Sequence, residues 1–164
     1  MTTKTYVTLL GLMAMLLQIT ALSTNYWGTM SIGGGISGIS ANVKANAGLW
    51  NVCVKGGGSV GGLTVSGSGD CQKMPNPDHG MEATRAFAIM GVLFVFLALG
   101  STYAYPLKQK NQCMLLAAGG VCSLIAMGIY AGGELQGGSP GYSFYLNLSG
   151  GMFALVAAYV CYQM

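Results

Sequence analysis

The chain has 164 residues, of which 52% are hydrophobic and 7% charged, whereas an ordinary soluble domain carries roughly 25% charged residues. Seven basic and four acidic side chains give a formal charge of +3, too sparse to track a phosphate backbone, which excludes a nucleic-acid binder. What remains is one compact unit built on long apolar runs, an integral and mainly α-helical membrane protein.

A helix needs about 20 apolar residues to cross a bilayer. The first run of that kind is 6–23, "YVTLLGLMAMLLQITALS". Lys4, the apolar run and the small-x-small pattern Ala21-Leu22-Ser23 also fit a cleaved signal peptide. We read the run as a retained span.

The loop 24–81 that follows is polar and glycine-rich, with "SIGGGISGIS" and "VKGGGSVGGLTVSGSG". A flexible Gly/Ser tether is the alternative reading. However, Trp50, Val52 and Val54 alternate, Val60, Leu63 and Val65 recur around glycine pairs, and Trp27 and two cysteines share the segment. This pattern predicts short strands joined by tight turns, a small twisted sheet. Cys53 and Cys71 are the only cysteines of the loop, so in an oxidising compartment they are expected to pair. The bridge would close a hairpin turning at Gly56-Gly57-Gly58 and Gly61-Gly62, with a stabilisation of roughly 3 kcal/mol from chain entropy. His79 beside Asp78 has no second histidine or cysteine pair nearby and is read as a solvated loop residue; no metal and no cofactor is expected.

The second run is 83–103, with Arg85 in its first turn, where a guanidinium can snorkel to headgroups or stack on a tryptophan. A short loop at 106–111, "PLKQKN", leads to the third run, 112–132. A second short loop, 133–141, precedes the fourth run, 142–162. Lys4, Lys108 and Lys110 lie at one end of these spans, with no acid in the middle loop. The long first loop holds Lys44, Lys55 and Lys73 against Asp70 and Asp78, and the second loop only Glu134. The positive-inside bias therefore predicts both termini in the cytoplasm and both longer polar segments outside, in a plasma-membrane setting where disulfides persist.

Within the spans, Gln18, Asn147 and Ser149 are polar and are expected to hydrogen-bond between helices. The letters Asn147-Leu148-Ser149 spell a glycosylation sequon, rejected because it lies inside a span. Gly128-x-x-x-Gly132, Gly150-x-x-x-Ala154 and Ala154-x-x-x-Ala158 allow close helix approach, within the bundle or toward a partner. Cys113 and Cys161 fall at the predicted cytoplasmic ends and are candidates for reversible palmitoylation; Cys122, mid-span, is read as a small packed hydrophobe.

"STNYW" after the first span, then "GLW", Cys53, Cys71 and Arg85 form the pattern W…GLW…C…C…R. This resembles the claudin, peripheral myelin protein and epithelial membrane protein superfamily, on Trp27, Gly48, Leu49, Trp50, Cys53, Cys71 and Arg85. The resemblance covers the whole chain in topology. It implies a left-handed four-helix bundle capped by a small extracellular antiparallel sheet, with the disulfide joining two of its strands. Claudins usually end in a long cytoplasmic tail, whereas this sequence stops at "YQM" after the fourth span, and its loop cysteines lie farther apart than is usual there. "GYSF" at 141–144 is similar to the epithelial membrane protein branch and to calcium-channel gamma and glutamate-receptor auxiliary subunits.

Two functions follow as expectations. The first is adhesion or membrane organisation through the outer sheet, with itself or other claudin-like proteins and membrane lipids as partners. The second is an auxiliary role beside a larger ion channel or receptor. The near-neutral first loop predicts no strong ion selectivity. An enzyme is not expected, because the sequence has no paired carboxylates, Ser/His/Asp set, phosphate loop or CxxC, and no small-molecule substrate is implied.

Overall fold

A computed structural model describes residues 3–36, 39–55, 58–60, 63–65, 71–74, 77–103, 108–133 and 138–163. Four helices, α1 (Thr3–Ser23), α2 (His79–Tyr103), α3 (Gln109–Gly133) and α4 (Tyr142–Tyr162), are each long and apolar enough to span a membrane. The fourth coincides with its expected run, while the first three begin a turn earlier. Hydropathy reports only the apolar length, whereas the backbone continues into a polar first turn wherever its free N–H groups find partners. At α2 that partner is Asp78, whose carboxylate accepts the Gly80 N–H at 3.4 Å.

The buried positions explain why these helices bundle. Along α1 they are Val7, Gly11, Ala14, Gln18 and Ala21, and along α2 they include Met81, Thr84, Ala88, Gly91, Val95 and Ala98. The alternating steps of three and four residues are the seam spacing that favours left-handed supercoiling. α1 packs chiefly on α4, α4 on α3 and α3 on α2, with a lighter α1–α2 contact closing the ring. Glycines set two of the crossings. A Cβ on Gly119 of α3 would lie 2.9 Å from the Gly91 carbonyl oxygen of α2, and one on Gly120 2.9 Å from that of Gly151 on α4. The backbones approach closely there, with the Val95 and Leu155 side chains laid over the bare glycines. Outward positions such as Leu16, Leu93, Phe96, Leu97 and Met114 are more than half exposed, so the bundle is apolar outside as well as inside.

One end of the bundle carries an antiparallel sheet of β1 (Gly28–Ile36), β2 (Ile39–Ala47), β3 (Asn51–Lys55), β6 (Cys71–Lys73) and β7 (Ser139–Pro140), in the order β6-β3-β2-β1-β7. A separate two-stranded ladder, β4 (Gly58–Val60) with β5 (Leu63–Val65), lies between β3 and β6 in sequence. Gly56, Gly57, Gly61 and Gly62, the expected turn residues, lie outside the described residues, as do Pro106 and Glu134.

Two elements go beyond the sequence expectation. The segment "GTMSIGGGI" forms β1 and pairs with β2 over its full length, from Gly28 opposite Ala47 to Ile36 opposite Ile39. Its three consecutive glycines hid the strand, because they carry no side chains to alternate. The second loop also contributes β7, which pairs Pro140 with Gly28 and Ser139 with Thr29. Proline lacks an N–H to donate, which suits an edge strand. Among the described residues the ribbon continues outward past its neighbours: β7 begins opposite Thr29 and β3 ends opposite Lys44.

Candidate functional site

The residues of the W…GLW…C…C…R pattern converge where the sheet meets the bundle. The last four carbonyls of a helix have no intrahelical donor. At the end of α1 side chains take that place. The Trp27 indole donates to the Ala21 carbonyl at 2.7 Å, and the Trp50 indole to the Leu22 carbonyl at 2.9 Å. The Thr20 carbonyl accepts from the Ser23 and Thr24 hydroxyls at 3.0 and 2.9 Å. Both tryptophans therefore cap the same helix, one from either side of the β1–β2 hairpin.

Trp27 is 0% exposed and Trp50 39%, which separates their roles. Trp27 packs edge-on to Tyr130 and Phe144, with ring centroids 5.3 and 6.4 Å away. These aromatics join Leu49, Met81 and Ala126 in a small core beneath the sheet. Trp50 instead lies against Arg85, whose guanidinium carbon is 5.2 Å from its ring centroid. Arg85 also donates from Nε to the Leu49 carbonyl at 2.7 Å and points Nη2 at the Met74 sulfur, 3.7 Å away. One side chain of α2 thus grips the residues that lead into β3 and the residue that follows β6.

Two glycines of this junction mark close backbone approach. A Cβ on Gly48 would sit 2.6 Å from the Asn25 Cα. One on Gly141 would collide with the Tyr26 carbonyl. With Gly141 bare, its N–H reaches the Trp27 carbonyl at 2.8 Å, and the Ser143 N–H reaches that of Tyr26 at 3.1 Å, so β1 is tied to the start of α4.

Cys53 and Cys71 face each other across the β3–β6 ladder and are joined in a disulfide, with Cα atoms 4.0 Å apart. The bridge holds edge strand β6 to β3, beside the Arg85 grip. The β4–β5 ladder is the excursion it closes.

Compared with models of protein families and with curated proteins, the sequence matches none.

In the sheet-side half of the bundle lies a polar centre that the sequence showed only in part. Gln18 of α1 donates from Nε2 to the Ser123 hydroxyl of α3 at 2.7 Å, and Asn147 of α4 donates from Nδ2 to the Ser123 carbonyl at 3.2 Å. All three side chains are fully buried, and the carbonyl oxygens of both amides lack a hydrogen-bond partner. Ser123 escaped notice because serine is unremarked among small residues. Its fit depends on Gly91 of α2, where a Cβ would stand 2.7 Å from the hydroxyl. Ser149, expected to join such contacts, is on the exposed face of α4.

The small-residue motifs divide by face. Gly150 packs on Ala14 and Gln18 of α1, and Ala154 and Ala158 are buried in the main core. Gly128 and Gly132 are exposed, with open space around both. Together with exposed Val121 and Ile125 they form an outward stripe on α3.

At the end remote from the sheet, Cys113 and Cys161 are bonded to each other, with Cα atoms 5.5 Å apart. An acyl thioester and a disulfide compete for the same sulfur, so palmitoylation of either residue requires this bond to open. Cys122 is half-buried and outside both disulfides. The His79 imidazole lies 3.9 Å from the Glu82 carboxylate on the surface of α2, and among the described residues no His/Cys/Asp/Glu cluster could hold a metal.

Proposed function

We propose that this is a claudin-like protein that crosses the plasma membrane four times, keeps both termini in the cytoplasm, and makes cell–cell contacts through its outer sheet. The observation that carries the reading is the junction just described. Trp27, Gly48, Leu49, Trp50 and Arg85 come from three separate segments and together fix a sheet rigidly on one end of the bundle. A sheet so anchored stands out from one end of the bundle, where it would meet an opposing surface. Among the described residues, the edges of its β1–β2 ribbon beyond Thr29 and Lys44 have no strand beside them, which suits strand addition by a partner. The bundle's apolar exterior supports insertion in lipid.

The test is to express the tagged chain in cells that lack junctions and to image borders between cells. Enrichment only where both neighbours express the chain is the expected result. Even distribution over the surface would remove the adhesive reading.

The exposed Gly128 and Gly132 favour a second reading, an auxiliary subunit lying laterally against a larger channel or receptor. Such a helix face admits a partner helix at close range. Co-purification of a larger membrane protein from native membranes, lost on replacing both glycines with leucine, would establish it. Retained co-purification in that variant would assign the contact elsewhere.

A further inference from the structure

The two disulfides sit at opposite ends of the bundle. Cys53–Cys71 is in the sheet that follows α1, whereas Cys113 is near the start of α3 and Cys161 in the last turn of α4. In a membrane-spanning protein one of them therefore faces the cytosol, whichever way the chain is inserted. Cytosolic thiol pools keep cysteines reduced, and the disulfides found there are mostly transient or redox-sensing. With the orientation proposed above, on which this inference rests, the cytosolic pair is Cys113–Cys161.

We propose that Cys113 and Cys161 form a reversible thiol–disulfide pair, a modification site for small thiols and disulfides of the glutathione class, which locks and unlocks the inner ends of α3 and α4. Three features of the site support exchange. A cavity of about 310 Å³ opens on the pair, lined by Gln109, Lys110, Cys113, Cys161 and Tyr162. Lys110 supplies positive charge where a thiolate attacks or leaves. The Cys161 sulfur is 3.9 Å from the Gln109 carbonyl, an acceptor for the S–H of the reduced form, while the Gln109 side chain donates to the Cys161 carbonyl at 3.0 Å. The end of α4 thus keeps a tether to α3 in either state.

Cys113 is the less buried of the two residues, 7% exposed against 0% for Cys161, and the attack is assigned to it. In the opening direction a small thiolate attacks the Cys113 sulfur. The Cys113–Cys161 bond breaks, its electron pair leaves on Cys161, and Cys161 takes up a proton. A second small thiolate attacks the small-thiol sulfur of the mixed disulfide, releasing Cys113 as a thiolate that is then protonated, and a small disulfide departs. Two thiols are oxidised to one disulfide as two electrons and two protons pass to the protein. Closing is the reverse, with the small disulfide as oxidant.

The test uses the full chain in living cells, acid-quenched and labelled with a mass-tagged maleimide before and after a brief pulse of diamide, which oxidises the glutathione pool. At rest, Cys113 and Cys161 should carry the tag, as the free Cys122 does as well, while Cys53 and Cys71 accept it only after chemical reduction. The pulse should remove both tags, and washout should restore them within minutes. In Cys161→Ser, the pulse should leave a glutathione adduct on Cys113 detectable by mass spectrometry. A Cys113–Cys161 bond closed at rest, or a dithiol that stays open through the pulse, overturns the proposal. Orientation is read separately from Lys108→Cys with a membrane-impermeant maleimide. Labelling only after permeabilisation is expected; labelling of intact cells overturns the orientation independently of the tag count.

Discussion

Two tryptophans and one arginine carry the junction, and their burial ranks their expected contributions. Trp27→Phe removes a buried N–H donor and leaves unfilled space among Tyr130 and Phe144. It should cost about 2–3 kcal/mol. Trp50→Phe, at a half-open position where water can reach the Leu22 carbonyl, should cost about 1 kcal/mol or less. Thermal unfolding in detergent checks the order, and equal losses would contradict the division of roles. Arg85→Lys keeps the charge but loses the planar group that lies over Trp50 while Nε holds the Leu49 carbonyl. A loss of about 1 kcal/mol is expected, and a variant as stable as the original would reduce Arg85 to a headgroup anchor.

At the scale of the helix, glycines divide into those that set a crossing and those that do not. Gly119→Val drives a branched side chain into Val95 and the Gly91 carbonyl, and the α2–α3 crossing must open, at about 1–3 kcal/mol. Gly100→Ala on α2 meets nothing within 4 Å and should raise stability by up to about 1 kcal/mol through helix propensity alone. The polar centre gives a sharper test. Ser123→Ala strips the acceptor from the buried Gln18 amide and should cost about 1–3 kcal/mol, and adding Gln18→Leu should recover most of it. A double variant as unstable as the sum of its parts would show that the two residues act separately.

For the molecule as a whole, the sheet is a thin layer, and glycine-rich strands lose much entropy on ordering. Cys53→Ala or Cys71→Ala should therefore loosen the cap by about 3 kcal/mol and lower delivery to the cell surface, read by surface biotinylation. Normal delivery of both variants would show that the Arg85 grip and the tryptophan caps hold the sheet without the bridge. The helices should keep their circular-dichroism signal in either variant, because their main core, from Val7 to Cys161, is built from helix residues alone.

The helices and the Cys53–Cys71 pair were legible in the sequence for local reasons. Apolar runs of about 20 residues need no knowledge of neighbours, and two cysteines alone in one loop leave little choice of partner. Strand β1 was not legible, since its glycines show no alternation and only pairing with β2 makes it a strand. Nor was β7, two residues that become a strand by lying beside Gly28 and Thr29. The bond between Cys113 and Cys161, 48 residues apart, depends on where α3 starts and α4 ends in space. The sequence by itself determined what is apolar, how long each rod is and where charge collects, because these are sums over neighbouring residues. Only the tertiary structure decided which glycines touch, which tryptophan is sealed and which sulfurs meet, because those depend on distances between segments that one-dimensional order does not contain.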